Sequence, residues 1–167
     1  QPSDEMAVIS AGRFLSEGKA SAVKVEGGAR VLPRIRALIA ADIPVMGHIG
    51  LTPQSAARMG GFKVQAKTAE TARILKDEAL ALADAGCFAL VLEGIPDEVG
   101  RLVTEAAPIP TIGIGAGPHC DGQVLVIQDV LGLFDRFVPK FVKRYANLAQ
   151  IAQEALAAFK ADVESGA

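Results

Sequence analysis

Four side chains in the 167-residue sequence combine a reactive type with an informative setting. Lys24 and Glu26 stand two apart in Val23-Lys24-Val25-Glu26; in an extended strand they share a face, which sets an ammonium beside a carboxylate. Such a pair is equally readable as a structural ion pair. Glu93 closes the apolar run Ala89-Leu90-Val91-Leu92, where a carboxylate needs a partner or a chemical role; capping a neighbouring helix is the plainer alternative. His48 sits in Gly47-His48-Ile49-Gly50, where flanking glycines permit close backbone approach, although a lone histidine is more often a hydrogen-bonded structural residue. Gly113-Ile114-Gly115-Ala116-Gly117 has the glycine density of a dinucleotide loop. The Rossmann fingerprint must lead straight into a helix, however, and Pro118-His119-Cys120-Asp121-Gly122 follows instead, which argues against NAD and for tight turns. His119, Cys120 and Asp121 are adjacent, and consecutive side chains rarely converge on one ion, so a soft-metal site there is disfavoured.

Five β-branched runs, 21–26, 43–48, 87–93, 109–114 and 124–128, alternate with helical patterns and predict a parallel sheet. They end in Glu26-Gly27-Gly28, His48, Glu93-Gly94, Gly113 to Gly117, and Asp129. In a (β/α)8 barrel the carboxyl ends of all strands open onto one face, and a doubly wound sheet gathers ligands at the same ends. If Val23 and Val25 face the helices, Lys24 and Glu26 face the barrel interior. Helix starts are expected at Thr52-Pro53, at Thr68 and at Ile95-Pro96-Asp97-Glu98. From Thr68 to Gly86, Ala72, Leu75, Ala79, Leu82 and Ala83 recur at helical spacing, and Asn147 is placed to cap a last amphipathic helix. With no low-complexity linker and no fixed-period repeat, residues 1–167 read as one continuous α/β unit.

Half of the residues are hydrophobic and 22% are charged, with 17 basic against 19 acidic side chains. That near-neutral balance argues against a nucleic-acid surface and for small-molecule partners. Two cysteines are too few for a disulfide framework, which suits reduced thiols in a cytoplasmic protein. No apolar run has the ~18 residues of a membrane span, and Gln1-Pro2-Ser3-Asp4-Glu5 lacks a signal-peptide pattern. The sequence begins without methionine, as a processed or nicked chain does.

Read in order, Val23-Lys24-Val25-Glu26-Gly27-Gly28, residues 44–54 (Pro44-Val45-Met46-Gly47-His48 onward), Gly60-Gly61-Phe62-Lys63-Val64-Gln65 and Leu90-Val91-Leu92-Glu93 closely resemble motifs of the ketopantoate hydroxymethyltransferase family. The resemblance continues through residues 112–117, Cys120-Asp121-Gly122-Gln123 and Pro139-Lys140-Phe141-Val142-Lys143. Small departures are Ala66-Lys67, where the family tends to have glycine and a basic residue, and Gly94-Ile95-Pro96.

The resemblance implies a (β/α)8 TIM barrel of the phosphoenolpyruvate/pyruvate type, of which this chain supplies roughly the last five β/α units. It further implies hydroxymethyl transfer from 5,10-methylenetetrahydrofolate to 3-methyl-2-oxobutanoate, giving ketopantoate on the way to pantothenate, with Mg²⁺ chelating the 2-oxo acid. By the same resemblance Glu26 corresponds to a metal-ligand glutamate, Lys24 to the substrate-binding lysine and Glu93 to the general base. A hard cation prefers oxygen ligands and can polarise the carbonyl while an enolate forms, so the roles are chemically coherent. A full barrel needs ~250 residues; the resemblance implies an amino-terminal segment with two further aspartates at the metal, and a homo-oligomer, commonly a decamer. Two rivals stand beside it: an isocitrate-lyase-like carbon–carbon lyase, whose cysteine-bearing loop is not found, and a non-catalytic truncated homologue acting in subunit association.

Overall fold

The computed structural model describes residues 3–55, 61, 63–134 and 137–167. Gly60 and Phe62 of the motif read above, and Gln1-Pro2, lie outside the described residues. The chain divides into two compact units, Gln1–Val124 and Leu125–Ala167.

The first unit runs α1 (Asp4–Ser16), β1 (Val23–Glu26), α2 (Leu32–Ala40), β2 (Val45–Gly50), α3 (Ala69–Asp84), β3 (Ala89–Glu93), α4 (Asp97–Ala106), β4 (Thr111–Ile114) and β5 (Gly122–Gln123). The five strands form one sheet in sequential order, and every neighbouring pair is parallel. The core cluster takes Val45 and Ile49 from β2 and Leu90 and Leu92 from β3, with Val23 and Val25 of β1 packed against it. Opposite them stand Ile35 and Leu38 of α2, Leu75, Ala79 and Leu82 of α3, and Val99 and Val103 of α4. Because side chains alternate along a strand, Lys24, Glu26, His48, Val91 and Glu93 point to the other face. Sequential parallel order with the helical core on one face is the wall of a (β/α)8 barrel, whereas a doubly wound sheet reverses its strand order and carries helices on both faces.

Local chemistry explains where these elements start. Thr68 caps α3, its hydroxyl accepting from the Thr71 amide while Thr71 reciprocates, and Ala72, Leu75, Ala79 and Leu82 supply the buried stripe. α4 begins after Pro96 with Asp97 and Glu98 in its first turn. After Thr52 the described chain makes a single 3-10 turn, Pro53–Ser55.

The fifth strand departs from expectation. It is Gly122–Gln123, paired with Ile112 and Gly113, and the ladder ends when the Val124 amide donates to the Gly113 carbonyl at 3.0 Å. The β-branched run 124–128 does not form it. Ile127–Val130 is a short helix (α5) in the second unit, so Asp129 is helical rather than at a strand end. β-Branched residues favour strands where a pleated surface can take their side chains, and tertiary context overrides the preference. No helix intervenes between β4 and β5: residues 115–121 make the crossover in an irregular loop.

In the second unit, α6 (Leu148–Ser165) ends at Gly166 in the left-handed conformation. Asn147 occupies its amino-terminal cap position, but its side-chain amide donates to Gln150 rather than capping the backbone. The Tyr145 and Leu148 amides donate to the Val130 and Leu131 carbonyls, which ties the start of α6 to the end of α5.

Candidate active site

Register brings the polar residues together. Glu26 pairs with His48 and Gly50 with Glu93, so the side chains of Glu26, His48 and Glu93 share one face near the carboxyl ends of three adjacent strands, with Lys24 one pleat below. β2 continues two residues past His48, which makes the histidine an interior strand residue, only 1% exposed.

His48 is the hub. Its Nε2 donates to the Leu51 carbonyl at 3.1 Å, which places a ring proton on that nitrogen, and lies 3.1 Å from Glu93 Oε2. Nδ1 then accepts from the Lys24 ammonium, 2.7 Å away. Lys24 Nζ also lies 3.5 Å from Glu26 Oε1, and Glu26 Oε2 accepts from the Gln54 amide at 3.2 Å. The result is a continuous chain, Glu26–Lys24–His48–Glu93, sealed on the histidine side and open at both carboxylates, whose side chains are 13% and 17% exposed.

Around the mouth, the Gly27 amide donates to the His48 carbonyl at 2.9 Å and Arg30 donates to the Ser55 hydroxyl at 3.0 Å, joining the turns after β1 and β2. Glu78 of α3 accepts from the Ala29 amide at 2.9 Å. A cleft of about 260 Å³ opens beside these turns, lined by Gly27, Gly28, Arg30, Thr52, Gln65 and Glu78 among others. Glu78 was not singled out from the sequence. Its signal is a carboxylate bordering the buried stripe Leu75, Ala79 and Leu82, where a charge needs a partner.

The remaining candidates go elsewhere. Gly117 adopts a positive φ of 77° in a turn that packs on α4, where a Cβ on Gly100 would collide with the Ala116 carbonyl. Gly117 therefore serves close packing of the turn on α4, while Gly113 of β4 leaves room for Cys120 and Gln123. His119 is exposed, Cys120 lies under Gly113, and Asp121 turns to the start of β4, so the three side chains diverge. Thr111, fully buried, donates to Asp121 Oδ2 through its amide at 2.8 Å and its hydroxyl at 3.0 Å. Those two bonds hold the Asp121 carboxyl below the usual aspartate range. Cys87 is buried, and desolvation pushes its thiol up to about 11, the behaviour of an inert core cysteine.

Among the described residues, no group of three histidines, cysteines, aspartates or glutamates could hold a metal ion. Magnesium uses one or two protein carboxylates and completes its shell with water and substrate oxygens. Glu26, a hard oxygen donor whose side chain is 13% exposed, fits as one contributor to such a shell and not as a complete ligand set. No helix among the described residues is long and apolar enough to cross a membrane.

The family model of ketopantoate hydroxymethyltransferase matches residues 1–167. A 3-methyl-2-oxobutanoate hydroxymethyltransferase of Syntrophobacter fumaroxidans is 63% identical over 166 residues, which cover 99% of this chain and 59% of the relative. Its namesake in Moorella thermoacetica is 57% identical over 160 residues, 96% of this chain and 60% of the relative. The chain thus spans about three-fifths of the length of these curated relatives. A crystal structure of a candidate lyase/mutase from Burkholderia cenocepacia J2315 superposes with a TM-score of 0.50 at 16% identity, covering 98% of this chain and 57% of that one, a likeness of fold alone. The chain belongs to the ketopantoate hydroxymethyltransferase family.

Proposed function

We propose that the protein transfers a hydroxymethyl group from 5,10-methylenetetrahydrofolate to 3-methyl-2-oxobutanoate, forming ketopantoate (2-dehydropantoate), with Glu93 as the base. The observation that carries this reading is the chain of close polar contacts Lys24–His48–Glu93 beside Glu26 at the strand ends. The name that its curated relatives bear supports 3-methyl-2-oxobutanoate as the acceptor, and the folate donor is what the family resemblance implies.

The chemistry needs a proton taken from C3 of the 2-oxo acid and a place for the resulting charge. Glu93 presents Oε2 to His48, and among the described residues Oε1 makes no hydrogen bond, which leaves a carboxylate oxygen to receive the C3 proton. The electron pair of the broken C–H bond moves into the carbonyl, and C3 then forms a bond to the one-carbon unit. Water provides the hydroxyl oxygen as tetrahydrofolate leaves. Lys24 contributes a fixed positive charge for the substrate carboxylate or the developing enolate oxygen, and His48 holds that ammonium in place without solvent reorganisation. Glu26 is the residue of this chain that would hold a divalent cation. When bound, such a cation supplies Lewis-acid polarisation of the keto group.

The test is single-turnover formation of ketopantoate with Mg²⁺ and both substrates, after mass spectrometry has established which chain segments the purified protein contains. Product from the parent, greatly reduced in Glu93→Gln and Glu26→Gln, supports the reading. Undiminished product from Glu93→Gln overturns the assignment of the base.

A further inference from the structure

We propose that Glu78 is a positioning residue for the Glu26 carboxylate, acting through the turn Gly27–Ala29, and that position 28 is glycine to admit it. The inference rests on the assignment of Glu26 as a metal-side ligand.

The turn after β1 leads into a 3-10 segment, Ala29–Val31, and then α2, and neither start has a side-chain cap of its own. An uncapped start leaves backbone amides without partners. Glu78 performs the capping from 49 residues away, its Oε1 accepting from the Ala29 amide at 2.9 Å. A carboxylate there also complements the positive end of a helical segment. A Cβ on Gly28 would fall on the Glu78 carboxylate itself, so the small residue and the long acid form a matched pair.

The consequence reaches Glu26. Its carboxylate is held at Oε2 by the Gln54 amide, a contact between the turns after β1 and β2. Glu26 can keep that geometry only if the residues just after it stay where they are, and Gly27 and Ala29 are each fixed through their amides, by His48 and by Glu78. Removing the Glu78 carboxylate frees the second of these anchors. Residues that orient a ligand through such outer contacts typically change metal affinity 10–100-fold when lost.

The experiment measures Mn²⁺ binding to the purified protein by electron paramagnetic resonance, together with thermal unfolding and amide exchange of the metal-free protein. Glu78→Ala is expected to weaken Mn²⁺ binding about 10-fold while Glu78→Gln, whose amide oxygen still accepts from Ala29, stays within about 2-fold of the parent. Exchange at the Ala29 amide should accelerate in the alanine variant and not in the glutamine one. Gly28→Ala, which displaces the carboxylate without removing its charge, should match Glu78→Ala, and the double variant should bind no worse than either; this pair carries the prediction if Glu78→Ala does not fold. Parental Mn²⁺ affinity in Glu78→Ala, equal loss in Glu78→Gln, or additive losses in the double variant overturn the proposal. Glu26→Gln separates the two layers: lost binding there with parental binding in Glu78→Ala refutes only the role of Glu78, whereas parental binding in Glu26→Gln refutes the ligand assignment beneath it.

Discussion

At the amino-terminal ends of β4 and β5, Asp121 accepts from the amide and hydroxyl of a buried threonine, and Thr104 approaches the same hydroxyl at 2.9 Å. All of its partners there are neutral and within two neighbouring strands and a helix. At the carboxyl ends, Glu26 and Glu93 belong to a chain of titratable groups spread over three strands and joined by one buried imidazole. Both sites are carboxylates at strand ends, yet they teach different things. The lower one takes both of its bonds from a single neighbouring threonine and locks a loop in place, while the upper ones meet an ammonium and an imidazole drawn from different strands. Convergence of several titratable groups from different strands, rather than a carboxylate at a strand end, separates the upper end from the lower one.

Glu93→Gln separates the two ends most strongly. It should lower kcat by about 1,000-fold with little change in KM or melting temperature, as for removal of a general base. A change of that size in Asp121→Asn instead would reverse the roles of the two ends. Next comes His48→Leu, which fills the space but leaves Lys24, Glu93 and the Leu51 carbonyl without their partner. Unfolding in denaturant should show a loss of about 2–3 kcal/mol, with turnover falling as well.

Asp121→Asn should cost about 1 kcal/mol at neutral pH, discounted for solvent exposure, and leave kcat unchanged. Because the folded carboxyl sits below its ordinary value, its stabilisation is present above that value, near 3.9, and is lost as pH falls through the folded one. The deficit of the variant should therefore narrow below about pH 4, which pH-dependent denaturation would show. The smallest effect concerns Ala66, which occupies the left-handed region at φ 54°. Ala66→Gly should raise stability by about 0.5 kcal/mol, the steric relief slightly exceeding glycine's entropic cost.

Much of the upper end was legible in the residues. The alternation in Val23-Lys24-Val25-Glu26 already assigned its faces, and the apolar run before Glu93 marked an acid in need of a role. Thr68 and Pro96 marked helix starts because capping chemistry is local. What sequence patterns missed depended on contacts between distant residues. The run 124–128 looks like a strand by composition, but whether the ladder continues past Val124 is decided by the neighbouring strand. Asp121 read as a weak metal candidate, since nothing local reveals that Thr111 faces it. Glu78 and Gly28, 50 residues apart in the chain, are intelligible only as a pair in space. The hub role of His48 was likewise hidden, because a lone histidine between glycines does not announce which neighbours its two nitrogens will meet.

If the carboxyl-end network removes a proton from the 2-oxo acid, that deprotonation can be watched without the rest of the reaction. Exchange of the C3 hydrogen of 3-methyl-2-oxobutanoate, followed by proton NMR in D2O with Mg²⁺ and no folate, should proceed with the parent protein and become undetectable in Glu93→Gln while substrate binding persists. Exchange at the parental rate in Glu93→Gln would contradict the account.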